Sequence, residues 1–364
     1  MKKLSAALLA VAGLALGACG DKPEEKVVNV YNWSDYIDEQ ILTDFTTETG
    51  IKVVYDVFDS NDVLETKLLA GSSGYDVVVP SGTFLARQIN AGVFQKLDRS
   101  KLTNWGNLWD MVLDRTSIWD PGNQYAVDYM WGTTGIGYNT KQVAERMADA
   151  PVNSWDLVFN PEVAAKFADC GIYMLDTSDE MIPAALNYIG ENPDSKDPAV
   201  IEKAEAVLMA IRPFIRKFHS SEYIDALANG DACVAVGWSG DILQARDRAA
   251  EAKNGVEVAY VTPDGGAQMW FDMMAIPADA KHPDNAHTFI NYIMRAEVMA
   301  KASNYVFYAN GNKASQEFLT PDVIGDPAIY PTPEALKKLF IITPYSSDVQ
   351  RVLTRIWTRV KSGQ

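Results

Sequence analysis

The sequence predicts an α/β protein built of two lobes, and three observations carry that expectation. From residue 27 onward strand-like and helix-like segments alternate, the pattern of an α/β fold with mainly parallel sheets. The chain has 364 residues, too many for one ordinary core and suited to two domains. Around Trp131 the texture changes to WGTTGIGYNT, small residues alternating with β-formers, and a second set of strand-like runs follows near 230–275. This suggests a segment that crosses between lobes and a chain that later crosses back.

The elements follow in order. Lys2 and Lys3 precede an apolar run from Leu8 to Leu16, too short for a membrane span of roughly 20 residues and suited to a secretory signal. It ends in Leu16-Gly17-Ala18-Cys19, which looks like a bacterial lipobox whose Cys is acylated. Ordinary cleavage near Ala18 is the alternative. Residues 1–18 are therefore read as signal and residues 19–26, with the polar KPEEK, as a tether. Val27 to Tyr31 reads as a strand. A helix is expected from about Tyr36 to Thr47, with Ile37, Ile41 and Phe45 on one face and Gly50 at its end. Ile51 to Val57 reads as a strand, Ser60 caps a helix stopped by Gly71, and Asp76 to Val79 reads as a buried strand. Val200 to Phe218 reads as a long helix interrupted by Pro213, and Ser221 to Ala228 as a shorter one. Ala232–Val236, Val256–Val261 and Met269–Ile276 read as strands, Asp284–Met294 as a helix, and VLTRIWTRVK near the end as a basic amphipathic helix packed on the surface. The expected division is 27–132 with 256–305 for the first lobe and 133–255 with 306–364 for the second.

Composition narrows the function. The net charge is −16, and −18 once residues 1–18 are removed. Such a surface repels nucleic acid and anionic lipid and draws small cations; simple solubility would also explain it. No later stretch is apolar for ~18 residues, so membrane contact is expected only through a lipid on Cys19. Cys170 and Cys233 remain as an even pair in an exported chain and are expected to form a disulfide, two buried free thiols being the alternative. The three His residues are not spaced with the cysteines as metal ligands, so no metal or other cofactor is expected.

Ligands of open α/β sheets bind beyond the carboxyl ends of the strands. The residues following those ends are Trp33, Ser34, Asp35 and Tyr36; Ser81, within Pro80 to Phe84; and Trp238 and Asp241, within Gly237 to Asp241. Trp270 and Asp272 share one face of a strand because side chains alternate, and Tyr308 falls in a loop-like stretch. Rings and carboxylates together suit ammonium groups on an aliphatic chain. Rings stack on methylenes and attract a cation through their π faces, by roughly 0.5–2 kcal/mol each, and carboxylates accept from the ammonium heads. Each residue also has a plainer reading: any Trp can be core, and Asp35 or Asp241 can serve a helix N-terminus. Enzyme signals are weak. Gly237-Trp238-Ser239-Gly240-Asp241 lacks the spacing of a nucleophile elbow, and Gly135-Ile136-Gly137 lacks the third Gly of a dinucleotide loop.

YNWSDYID, DVVVPSGTFLARQI, LDTSDE, FHSSEYIDALANGDACVAVGWSGD, FYANGNKA and TRIWTRVKSG resemble the bacterial periplasmic putrescine-binding proteins and their spermidine-preferring relatives, over nearly the whole chain after Val27. The resemblance implies a type II periplasmic binding protein, two α/β lobes joined by a hinge that close on a polyamine and deliver it to an inner-membrane ATP-driven permease. It implies a monomer in the periplasm and no enzymatic activity; a polyamine sensor or a carrier of another cationic solute is the alternative. It adds Glu180 to the pocket of Trp33, Ser34, Tyr36, Ser81, Trp238, Asp241, Trp270, Asp272 and Tyr308, and it matches Cys170 and Cys233 to the family's disulfide. Trp270 stands where putrescine-preferring members commonly have Phe, which is similar to spermidine-preferring relatives. The lipobox at Cys19 is a second departure.

Overall fold

The computed structural model describes residues 26–364. The signal, Cys19 and the tether up to residue 25 lie outside the described residues. Among those described, ten strands are present: β1 (Val27–Trp33), β2 (Lys52–Phe58), β3 (Val77–Val78), β4 (Ala126–Asn139), β5 (Ile172–Met174), β6 (Ile215–Phe218), β7 (Val234–Trp238), β8 (Val258–Val261), β9 (Met269–Ala275) and β10 (Ala309–Asn310). No helix of the described residues is long and apolar enough to cross a membrane.

β4 joins the two halves. Its first part, Ala126 to Thr133, pairs antiparallel with β9, and Met130 and Trp131 also pair with β10. From Thr134 onward it pairs with β7, and Ile136 to Asn139 pair with β8. One sheet therefore runs β2-β1-β3-β9-β4 and the other β4-β7-β5-β6. The parallel pairs are β1 with β2 and β3, and β5 with β6 and β7. Sheets expected to be mainly parallel are thus mixed, because β4 and β9 run against their neighbours. Burial on both faces of β4 and β9 makes them read as unbroken apolar runs, which carry no signal of direction.

Each half has its own core. One is formed by residues of 28–131 and 269–329 with Leu243 reaching across, the other by residues of 136–267 and 349–360. The expected division is corrected at two places. β8 lies with the second half, so the return crossing is at 262–268 and not at the expected boundary between 255 and 256. Val306, Tyr308, Ala309, Leu319, Val323 and Ile329 pack with the first half. A short strand carries no mark of which sheet it joins, and the antiparallel pairing of β10 with Met130 and Trp131 is long-range.

Local signals place the cleft-facing helix starts. The helix Glu39–Thr49 begins later than expected, because Asp38 is its N-cap and accepts from Gln40 N–H at 2.9 Å. That leaves 34–37 as a turn leading away from β1. Ser60 caps Asn61–Leu69 as expected. Ile215–Phe218 is strand rather than helix: Pro213 falls in a short 3-10 turn after the helix Pro198–Ile211. The C-terminal helix Ser347–Ser362 buries Leu353, Ile356, Trp357 and Val360. Its basic face is matched by the protein's own acids, with Arg359 bonded to Glu205 at 2.5 Å and Lys361 to Asp176 at 2.9 Å. Cys170 and Cys233 form a disulfide with Cα atoms 5.5 Å apart. It ties the starts of the adjacent strands β5 and β7.

Candidate ligand-binding cleft

The cleft between the two halves holds about 670 Å³ of space not filled by atoms, its opening to solvent included. Of the eleven residues expected there, ten line it: Trp33, Ser34, Tyr36, Ser81, Glu180, Trp238, Asp241, Trp270, Asp272 and Tyr308. Both halves contribute. Trp33 ends β1, Ser81 is the N-cap of the helix Gly82–Asn90, and Trp270 and Asp272 stand on one face of β9. From the other half, Glu180 lies in the first turn of Ser178–Tyr188, Trp238 ends β7, and Asp241 lies in the first turn of Ser239–Ala252. Three helices thus start at the cleft, and their positive ends favour carboxylates there.

Asp35 is the exception. It is exposed, with a left-handed backbone (φ 53°), and its carboxylate pairs with Arg248 at 2.7 Å. Because Asp38 caps the helix, Asp35 sits in the preceding turn and faces outward. Arg248 also bonds Asp225 at 2.9 Å, so it bridges the two halves outside the cleft.

The rings form a continuous wall. Trp33 meets Trp238 edge-on at 5.4 Å, Trp238 meets Trp270 at 6.3 Å, Trp270 meets Tyr308 at 5.4 Å, and Tyr308 meets Tyr36 at 5.1 Å. Two close approaches hold this wall. A Cβ on Gly132 would lie 2.7 Å from the Trp270 ring, and one on Gly240 would lie 2.4 Å from Tyr308. Trp33 Nε1–H is fixed by the carbonyl of Val79 at 2.9 Å.

Three carboxylates are buried within the wall, each with fixed donors. Asp272 accepts from Ser81 Oγ at 2.5 Å and from Tyr36 Oη at 2.9 Å. Asp241 accepts from Tyr308 Oη and Tyr223 Oη, each at 2.7 Å. Both Glu180 oxygens accept from Trp238 Nε1–H at 3.0 Å, and Thr134 Oγ1 also donates to Glu180. Neutral donors orient these groups without cancelling their charge, and among the described residues no Lys or Arg lines the cleft. Burial therefore dominates: it pushes Glu180 up to about 8 and Asp241 and Asp272 each up to about 7. Like charge adds to this, Asp241 acting on Asp272, and Asp179 and then Asp272 on Glu180.

The remaining lining residues include Asn61, Trp119, Asp179 and Gln268, which sequence reasoning missed. Asn61 clamps Ser81, accepting its N–H at 3.1 Å and donating to its Oγ at 2.9 Å. No pattern announces that contact between separate elements. Asp179 stands beside Glu180 in the helix that follows β5, a three-residue strand that the sequence pattern does not announce. For Gln268 a signal existed: it immediately precedes β9 and stands two residues before Trp270, in phase with Trp270 and Asp272.

Residues 40–332 match the family model for bacterial extracellular solute-binding proteins. The chain is 51% identical to the putrescine-binding periplasmic protein SpuD of Pseudomonas aeruginosa, over 100% of both chains. It is 49% identical to the putrescine-binding periplasmic protein PotF of Escherichia coli, over 100% of this chain and 99% of that one. Among solved structures, it is similar to the spermidine/putrescine ABC transporter substrate-binding protein PotD of Streptococcus pneumoniae, with a TM-score of 0.74 and 30% identity, covering 93% of this chain and 99% of that chain. The architecture is that of a type II periplasmic binding protein. A cleft that two α/β halves build from fixed donors, rings and acids, in a chain related to transport proteins along its full length, identifies a binding protein rather than an enzyme: the chain belongs to the bacterial extracellular solute-binding proteins.

Proposed function

We propose that this chain captures a polyamine between its two halves and presents it to an inner-membrane ATP-driven permease. One observation carries the reading: three buried carboxylates, Glu180, Asp241 and Asp272, face an aromatic-walled cleft that no Lys or Arg of the described residues lines. Burial holds these acids protonated to about pH 7–8 until a cation arrives, so an anionic or neutral solute gains no charge pairing from them. Ammonium groups pair with their ionised forms, while the methylenes between them lie against Trp33, Trp238, Trp270 and Tyr308.

In this reading the acids do two things. They exclude solutes that lack positive charge, and they couple capture to closure, since a ligand held by Asp272 from one half and by Asp241 or Glu180 from the other draws the halves together. Tyr308 Oη donating to Asp241 and Gln244 Nε2 donating to the carbonyls of Asp35 and Val306 are contacts made only when the halves meet. The crossing strand β4 and the segments at 262–268 and 339–342 are where the hinge would bend. The N-terminal segment directs export to the periplasm, with acylation of Cys19 as the anchor, and the protein acts as a monomer.

Titration calorimetry against putrescine, spermidine, glutamate and maltose tests this. Binding of at least one polyamine with no heat from the other two is the expected result. Binding of glutamate or maltose in preference to both polyamines would overturn the reading.

A further inference from the structure

We propose that Asp128 and Gly311 form a pH-sensitive joint between the crossing strand β4 and β10, one that seats with a proton on Asp128 and loosens as that proton is lost. Asp128 does not line the cleft, and nothing in the polyamine reading uses it. It is 2% exposed, and neither of its carboxyl oxygens has a hydrogen-bond partner among the described residues. The three cleft acids differ in this, since each has fixed donors. A buried carboxylate with neither a donor nor a cation is strongly unfavourable, and the neutral acid is far less so.

Gly311 makes the room for this acid. A Cβ on Gly311 would run into Asp128 Oδ2 and lie 2.9 Å from Asp128 Cγ. Gly311 is not among the glycines with positive φ, so its backbone would accept a side chain; the carboxyl of Asp128 is what bars one. The joint sits where β4 is irregular. Asp128 pairs with Met273 of β9, and the ladder shifts register between Asp128 and Met130. Gly311 directly follows β10, which pairs with Met130 and Trp131. β10 in turn follows Tyr308, whose hydroxyl reaches Asp241 of the other half. Loosening this joint therefore acts on the cleft wall without touching a ligand. Asp272 on β9, Tyr36 in the turn after β1, and Tyr330 are the titratable groups that share its field, and no Lys, Arg or His is among them. Burial first and Asp272 second hold the Asp128 carboxyl well above the usual carboxylate range, the Gly311 backbone pulling the other way. An unfolded Asp releases its proton near pH 4, so above that pH folding must take a proton up. The stability associated with this acid is whole below about pH 4 and falls as pH rises toward its folded value, about tenfold in the folding equilibrium per pH unit.

Denaturant titrations of the ligand-free protein and of Asp128→Asn at pH 5, 6 and 7 test the proton. The amide keeps the shape of the side chain and removes its titration. The folding equilibrium constant of the variant relative to wild type should rise about tenfold per pH unit, roughly a hundredfold from pH 5 to pH 7, a gain that misfolding cannot mimic. A ratio that stays the same at the three pH values, whatever its size, would overturn the proposal. Gly311→Ala tests the joint itself. It should destabilise the wild type and be at least tenfold less damaging to the folding equilibrium when Asp128 is also replaced by Ala, because contacting residues couple. Equal damage in both backgrounds would sink the pairing of Asp128 with Gly311.

Discussion

Replacing Asp272 by Asn removes one charge and little else. The amide has nearly the same shape, and its oxygen can still accept from Ser81 or Tyr36, which now reach Asp272 at 2.5 and 2.9 Å. The fold is therefore expected to survive. The bound ligand is left with an ammonium in a buried site that lacks its counter-charge. Truncating one partner of a buried, hydrogen-bonded charge pair costs about 2–5 kcal/mol, so polyamine affinity at pH 8 should fall roughly 30-fold to several thousandfold. The effect should depend on pH. Burial raises the Asp272 carboxyl to about 7, so at pH 6 the wild type must first release a proton. That costs about 1.4 kcal/mol per pH unit well below the pKa, and the gap between wild type and Asp272→Asn should narrow about tenfold from pH 8 to pH 6. Calorimetry at both values, with a thermal melt of each protein, measures it. Equal affinities at pH 8, or a gap that does not narrow in acid, would refute the assignment of Asp272.

Three further outcomes follow from the same geometry. Glu180, Asp241 and Asp272 hold protons to about pH 7–8 in the ligand-free cleft, whereas their unfolded values lie near 4. Their contribution to ligand-free stability is therefore present at low pH and is lost as pH rises through about 7–8. A bound cation favours the ionised forms, so affinity and the ligand-induced rise in Tm should both be larger at pH 8 than at pH 6, with proton release seen as a buffer-dependent binding enthalpy. Gly240→Ala puts a methyl group 2.4 Å from the Tyr308 ring of the other half; affinity should fall at least tenfold with little change in the ligand-free melting temperature, as checked by calorimetry and melting. Replacing Cys170 and Cys233 together by Ala opens a link across 63 residues and should lower unfolding stability by about 4 kcal/mol in denaturant titrations, with the polyamine preference unchanged.

The legible parts of this molecule were those with local signals. Alternation of short apolar runs with amphipathic helices gave the α/β class, and the rule that ligands sit beyond strand ends located Trp33, Ser81, Trp238 and Asp241 before any geometry was known. Period-two alternation paired Trp270 with Asp272. Glu180 was different: it lies in a helix first turn and only family resemblance pointed to it. Asp35 misled, because a residue three positions along, Asp38, is the true cap, and the turn it frees sends Asp35 to Arg248. The lobe boundaries were illegible for a related reason. Whether β8 or β10 joins one sheet or the other is decided by pairing with distant parts of β4, and a four- or two-residue strand carries no mark of its partner.

The most direct measurement is a crystal structure of the protein grown with putrescine, refined far enough to place each nitrogen. Nitrogens within about 2.7–3.2 Å of carboxylate oxygens of Asp272 from one half and of Asp241 or Glu180 from the other, with methylenes against Trp33, Trp238 and Trp270, are what this account predicts. A diamine bound outside the cleft, or one whose nitrogens meet only water while the three acids keep their present partners, would contradict it.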